Sequence, residues 1–178
     1  MIMENIQKSS ATPDLFFSIK NNFSISCKRN DKNILYSAGS KQIPSMTDNS
    51  IGELHLSTGY IREPHWHTNT WELNRLVSGS ASIGILDPNT HEIYIYRLIK
   101  PGDGVFIPMG WLHWVTGNQD NTQINLTFNN GILETTEISD VLRLTPPKIF
   151  RLAYGMDIKD LNNVFSPITE TVIIGPAK

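Results

Sequence analysis

The sequence predicts an all-β domain: a barrel or sandwich of short antiparallel strands, finished by short C-terminal helices. Three observations carry this. Between Leu15 and Asn130, apolar or alternating runs of roughly four to eight residues are broken again and again by Gly, Pro, Asn and Asp. No helical period of apolar residues interrupts that stretch. After Gly131 the pattern gives way to segments with helix-capping residues at their ends.

The strand candidates, in order, are Leu15 to Ile19, Asn33 to Ser37, Ile51 to Ser57, Leu73 to Ser78, Ala81 to Leu86, Glu92 to Ile99, Val105 to Ile107 and Gln123 to Phe128. Asp87-Pro88-Asn89-Thr90 has hairpin-turn chemistry and Lys100-Pro101-Gly102-Asp103 reads as a second tight turn, each expected to set its flanking strands antiparallel. Gly39 to Ser50 is polar and aperiodic, a surface loop or a lid. Ser139 stands where it would cap a helix over Asp140 to Leu144. Thr145 and Pro146 open a second helix, closed by Gly155, and Asp157 to Val164 makes a further helical turn. Thr171 to Ile174 reads as a last strand, pairing back onto the barrel or onto a neighbouring subunit.

At roughly 150 residues per domain, 178 residues make about one domain. The expected division is N-terminal strands and loop over 1–50, the barrel core over 51–130, and helices with a final strand over 131–178. Fifteen Lys and Arg against seventeen Asp and Glu leave a net charge of −2, without the basic excess that grips phosphate, so nucleic acid is not an expected partner. No apolar run approaches the roughly 18 residues of a membrane span. Glu4, Asn5, Gln7 and Lys8 break the apolar stretch a signal peptide needs, so the expectation is a soluble, cytoplasmic protein with no membrane partner. The single cysteine, Cys27, closes no intrachain disulfide and reads as a small core residue.

The chemistry concentrates in two segments. In the first, Gly59, His65, His67, Glu72 and Gly79 are spaced so that strand alternation aims both imidazoles to one side. A turn at Thr68 to Thr70 is expected to bring the next strand alongside, with Glu72, Asn74 and Leu76 sharing one face. In the second, Gly102, Pro108 and Gly110 lead to His113 at the start of another strand. His65, His67, Glu72 and His113 form a mixed nitrogen and oxygen donor set suited to Mn(II), Fe(II), Ni(II) or Zn(II). An octahedral ion on four such ligands keeps two positions open, whereas a tetrahedral zinc would be filled.

These segments resemble the paired signatures of the cupin superfamily, Gly-x5-His-x-His-x4-Glu-x6-Gly and Gly-x5-Pro-x-Gly-x2-His-x3-Asn. Every fixed position of the first is met; the second departs only at its end, with Asn118 one place beyond Gly117. The resemblance implies a cupin β-barrel, a double-stranded β-helix of jelly-roll type. Arg62 to Thr70, Val77 to Gly79, Pro101 to Asp103 and Thr145 to Pro147 are further similar to oxalate decarboxylase and its manganese-dependent, germin-like relatives, of whose two cupin halves this chain would match one. That likeness implies Mn(II) or Fe(II) as cofactor, with Ni(II) or Zn(II) as alternatives. It also implies that Arg62, three residues before the first histidine, steadies an anionic substrate; the other reading of Arg62 is an outward salt bridge. The family's decarboxylating half carries a glutamate on the last barrel strand or on a lid after it. The matching places here are Thr127 and the short segment Leu133 to Thr136, so Glu134 or Glu137 would have to substitute, or both are solvated acids.

Gln123, Asn125, Thr127 and Asn129 alternate with Ile124, Leu126 and Phe128, so a polar face either lines the pocket or faces solvent. With Asn74, Leu76 and Trp111, the residues Asn125 and Thr127 complete the expected pocket lining. Trp66 and Trp114 point away from the histidines by parity, and His55 and His91 read as ordinary strand and turn residues. Two functions follow: an oxidase, dioxygenase or decarboxylase acting on a small carboxylate or polar molecule with dioxygen as possible co-substrate, or a binding module that holds a metal or small ligand without turnover. A homodimer is expected in either case.

Overall fold

The computed structural model describes residues 17–20 and 24–176. Two antiparallel sheets face each other. The first has the order β1 (Ile25–Asn30), β2 (Asn33–Ala38), β3 (Ser50–Leu56), β10 (Thr122–Phe128), β5 (Glu72–Ser78), β8 (Gly104–Ile107). The second runs β11 (Thr135–Glu137), β4 (Ile61–His67), β9 (His113–Gly117), β6 (Ala81–Leu86), β7 (Ile93–Leu98), with β12 (Ile174–Gly175) also paired to β4. Three short helices close the chain: α1 (Ile138–Leu144), α2 (Pro147–Tyr154) and α3 (Ile158–Phe165). This is the expected all-β class with C-terminal helices.

Alternation builds the core. Along β10, Thr122, Ile124, Leu126 and Phe128 are buried while Gln123, Asn125 and Thr127 are only half-buried on the other face. The apolar members join Leu54, Leu56, Leu76, Ile83, Ile85, Ile107 and Val115 in one cluster between the sheets. Burying such side chains, at about 1.5–3 kcal/mol each, is the main force holding the sheets together.

Several expectations are corrected. Of Leu15 to Ile19, Leu15 and Phe16 lie outside the described residues, and Phe17 to Ile19 carry no strand. The hairpin at Asp87 to Thr90 does join antiparallel β6 and β7, with the Asp87 carboxylate accepting from Asn89 N at 2.7 Å. The turn at Lys100 to Asp103 makes no hairpin, because β7 belongs to one sheet and β8 to the other; here the chain crosses over. Ser139 is not a cap but lies inside α1, whose N-cap position is Glu137. The second helix starts one residue later than expected, with Pro146 at the N-cap and Pro147 first, and ends at left-handed Gly155. Asp157 caps α3 as a short acidic side chain should, accepting from Lys159 N and Asp160 N. The last strand pairs with β4 of its own chain.

Candidate metal centre

His65 and His67 stand two residues apart on β4 and are both buried. Antiparallel pairing sets His113, first residue of β9, directly opposite His65, with ring centroids 4.0 Å apart. Glu72 arrives differently from the expectation. The turn after β4 carries the chain into the opposite sheet, where β5 pairs with β10 and β8, so Glu72 faces the histidines across the interior rather than along one sheet. One ligand atom from each of the four residues lies within 4.8 Å of all the others.

The hydrogen bonds around this cluster fix its chemistry. His65 Nδ1 lies 2.7 Å from Glu63 O, His113 Nδ1 lies 3.0 Å from Trp111 O, and His67 Nδ1 lies 3.3 Å from Glu134 O and 3.0 Å from Thr135 Oγ1. A ring nitrogen facing a carbonyl must carry the hydrogen, which leaves each Nε2 a lone pair. Yet His67 Nε2 and His113 Nε2 each lie 2.9 Å from Glu72 Oε2. Lone pairs turned on a carboxylate oxygen, all buried, are mutually repulsive unless a cation stands among them. The four residues therefore form a metal-binding site, and their mixed N and O character fits a first-row divalent ion.

Burial, the charge of Arg62 and the neighbouring His113 push His65 well below the usual histidine range, so it stays neutral and able to ligate. Burial works against ionising Glu72, but with no cation at the site a proton on His113 and N–H donation from His113 and His67 outweigh it and hold the carboxyl well below its usual range; a bound divalent ion takes the place of those protons.

Arg62 is the residue that parity alone misplaces, since it lies an odd number of positions from His65. Between Arg62 and His65 the pairing with β9 slips, three residues on β4 opposing two on β9 from Val115 to His113. This bulge turns Arg62 to the same side as the histidines. There it is buried and bound on both oxygens of Glu137, Nη1 to Oε2 and Nη2 to Oε1, each at 2.6 Å, while Nη1 also donates to Ile173 O at 3.2 Å. Its salt bridge is thus inward. Burial pushes Glu137 above the ordinary carboxylate range, against the pull of Arg62.

A cavity of about 400 Å³ opens beside the site, lined by Arg62, His65, His67 and Glu137 from the second sheet and by Glu72 with residues of β2, β3 and β10 from the first. The expected pocket residues lie elsewhere. Asn74 and Leu76 do point inward with Glu72, but both are wholly buried off the cavity: Leu76 in the core, Asn74 with neither side-chain polar atom bonded among the described residues. Trp111 packs against the core. Asn125 and Thr127 line a separate groove on the outer face of the first sheet, with Phe17, Glu53 and Arg75. Glu134 is exposed and its carboxylate accepts from Thr68 Oγ1. Glu137, weighed above only as a spare or solvated acid, is the buried one. Its signal was the triplet Thr135-Thr136-Glu137, strand-prone residues before a helix. Gly117, standing where the second signature has asparagine, has a physical reason: a Cβ there would lie 2.6 Å from Ser57 O.

A family model described as Cupin matches residues 20–154. Over 127 residues the chain is 24% identical to an oxalate decarboxylase of Bacillus subtilis, covering 70% of this chain and 32% of that protein. Among solved structures, one concerned with the Mn(II) centres of Bacillus subtilis oxalate decarboxylase superposes with a TM-score of 0.76 at 22% identity, covering 89% of this chain and 40% of that one. The coconut allergen cocosin superposes with a TM-score of 0.79 at 15% identity, covering 89% and 43%. The chain spans about a third of the length of the curated relatives it matches.

Proposed function

The chain belongs to the cupin family, and on that footing we propose that it is a metal-dependent cupin acting on a small carboxylate-bearing molecule, as an oxidase, dioxygenase or decarboxylase of the oxalate decarboxylase kind. The observation that carries this reading is that His65, His67, Glu72, Arg62 and Glu137 all open onto one cavity. His65, His67, Glu72 and His113 would hold the ion; Mn(II) is supported by the manganese centres of the Bacillus subtilis relative, with Fe(II) next. Bound there, the ion would supply Lewis acidity to polarise a substrate carboxylate.

The chain's own residues do the rest. A divalent ion against the one Glu72 carboxylate leaves a net positive centre, which attracts an anion. Arg62, aimed by its two-point grip on Glu137, keeps guanidinium N–H groups to donate to a substrate carboxylate in a charge-assisted bond. Glu137, ionised in its two-point pair with Arg62 and pushed above the ordinary carboxylate range by burial, is the group placed to take a proton at an Oε atom. The homodimer belongs to the same reading. Its support is β7, an edge strand on which Ile93, Tyr94, Ile95 and Tyr96 are all exposed.

One observation favours the second reading, a binding module without turnover: the position matching the relatives' strand glutamate is Thr127, which faces out of the cavity. The test is to load the protein anaerobically with Mn(II) or Fe(II) and then follow oxygen uptake, carbon dioxide and formate with oxalate and larger carboxylates. Turnover that Glu137→Gln abolishes, with the metal still bound, supports the enzyme; carboxylate binding with no turnover on either metal leaves the binding module.

A further inference from the structure

The two sides of the cavity differ in chemistry, and the difference specifies a guest. Across from Arg62, His65 and His67 stand Leu35 of β2, Leu54 of β3, and Leu126 and Phe128 of β10, all lining the cavity. Two inward positions of β3 are small where a core strand would carry a large apolar side chain: Gly52 and Ser50. Ser50 is 1% exposed and its hydroxyl has no hydrogen-bond partner among the described residues. An unmet buried hydroxyl costs about 1–3 kcal/mol, a cost that a polar atom of a bound molecule removes.

Charge narrows the choice further. Among the described lining residues the cationic side chains are Arg62, already gripping Glu137, and Lys41, exposed at the rim. A second carboxylate pressed against Leu126 and Phe128 would be buried without a partner, which is strongly unfavourable. Size argues the same way, because about 400 Å³ holds on the order of a dozen water-sized groups, far more than a molecule as small as oxalate fills.

Resting on the functional reading above, we propose that the ligand is a monocarboxylate with a branched aliphatic or aromatic body. Its carboxylate sits on the side of the metal and Arg62, its body lies against Leu54, Leu126 and Phe128, and a hydroxyl or carbonyl of that body meets Ser50. Calorimetric titration of the Mn(II)-loaded protein with oxalate, phenylpyruvate and 4-hydroxyphenylpyruvate under anaerobic conditions tests it. Phenylpyruvate should bind at least tenfold tighter than oxalate, with a negative heat-capacity change from apolar burial. The phenolic hydroxyl should add a several-fold gain that Ser50→Ala removes while leaving manganese binding intact. Oxalate binding as tightly as phenylpyruvate would overturn the inference and leave a metal-dependent carboxylate site standing, whereas binding of none of the three would overturn both. A phenolic gain that survives in Ser50→Ala would remove Ser50 from the assignment.

Discussion

β4 and β10 are both seven-residue strands, they sit in opposite sheets, and both line the cavity, but they are built on opposite terms. β10 pairs with β3 in unbroken register, and its buried face carries Ile124, Leu126 and Phe128. β4 buries Arg62, Glu63, His65 and His67, a concentration of charge and polarity that would not tolerate burial by itself. Later chain makes it tolerable. Glu137 grips Arg62; Ser139 N and Oγ and Ile173 N donate to Glu63; Glu134 O and Thr135 Oγ1 meet His67. The segment from 134 to 139 and the strand β12 thus act chiefly to satisfy β4. An apolar wall needs only neighbours that fit, whereas a functional wall needs partners delivered from distant sequence.

The comparison breaks most visibly at the metal. His65→Ala removes a ligand from the charged wall, and metal affinity measured by competition with a chelator should fall by more than about 100-fold, since even outer partners of ligands are worth 10–100-fold. Retention of full metal content by elemental analysis would remove His65 from the site. The next effect is on folding. Glu137→Leu leaves Arg62 buried without its partner, and should cost about 3–5 kcal/mol in urea unfolding. The double variant Arg62→Met/Glu137→Leu should recover most of that, because two apolar groups replace a desolvated pair. On the other wall, Phe128→Ala should cost about 3 kcal/mol, the low end for Phe to Ala, because the site already borders a cavity. Metal affinity should stay within about tenfold, as Phe128 meets His67 only edge-on, with centroids 5.2 Å apart. A large loss of metal with unchanged stability would reverse the roles given to the two walls.

The same contrast explains what the sequence made legible. Ligand identity could be read because both signatures are local: His65 and His67 lie on one strand, Glu72 follows after a turn, and His113 follows a Pro-x-Gly turn. Most strands in the barrel core were legible to within a residue because their apolar alternation is strict. What alternation cannot reveal is which sheet receives the next strand. Glu72 was therefore expected beside the histidines rather than across from them, and Lys100 to Asp103 was expected to form a hairpin. Nor does it reveal a bulge, which alone puts Arg62 on the ligand face. Glu137 was obscured for a third reason: its partner lies 75 residues away, and nothing in a three-residue strand announces that it will be buried.

The smallest expected effect is the sharpest test of how β10 is faced. Its polar residues could be read either as pocket lining or as solvent-facing, and the two readings assign Thr127 opposite fates. Thr127 pairs with Ile51 on β3 and Leu73 on β5, and it lies between Leu126 and Phe128, both of which point into the barrel. A side chain at 127 therefore leaves on the outer face, toward Arg75 and Asn125. Thr127→Glu places a carboxylate there, beside Ile51 and Leu73, with the Arg75 guanidinium in the same groove to offset them. Stability should change by no more than about 0.5 kcal/mol, the usual range for a surface change. Because the new carboxylate does not reach the cavity, the Mn(II)-loaded variant should release no more formate or carbon dioxide from oxalate than the original chain. A gain of decarboxylation in this variant would mean that β10 is turned the other way, and with it would go the apolar wall on which the size and chemistry of the guest have been argued.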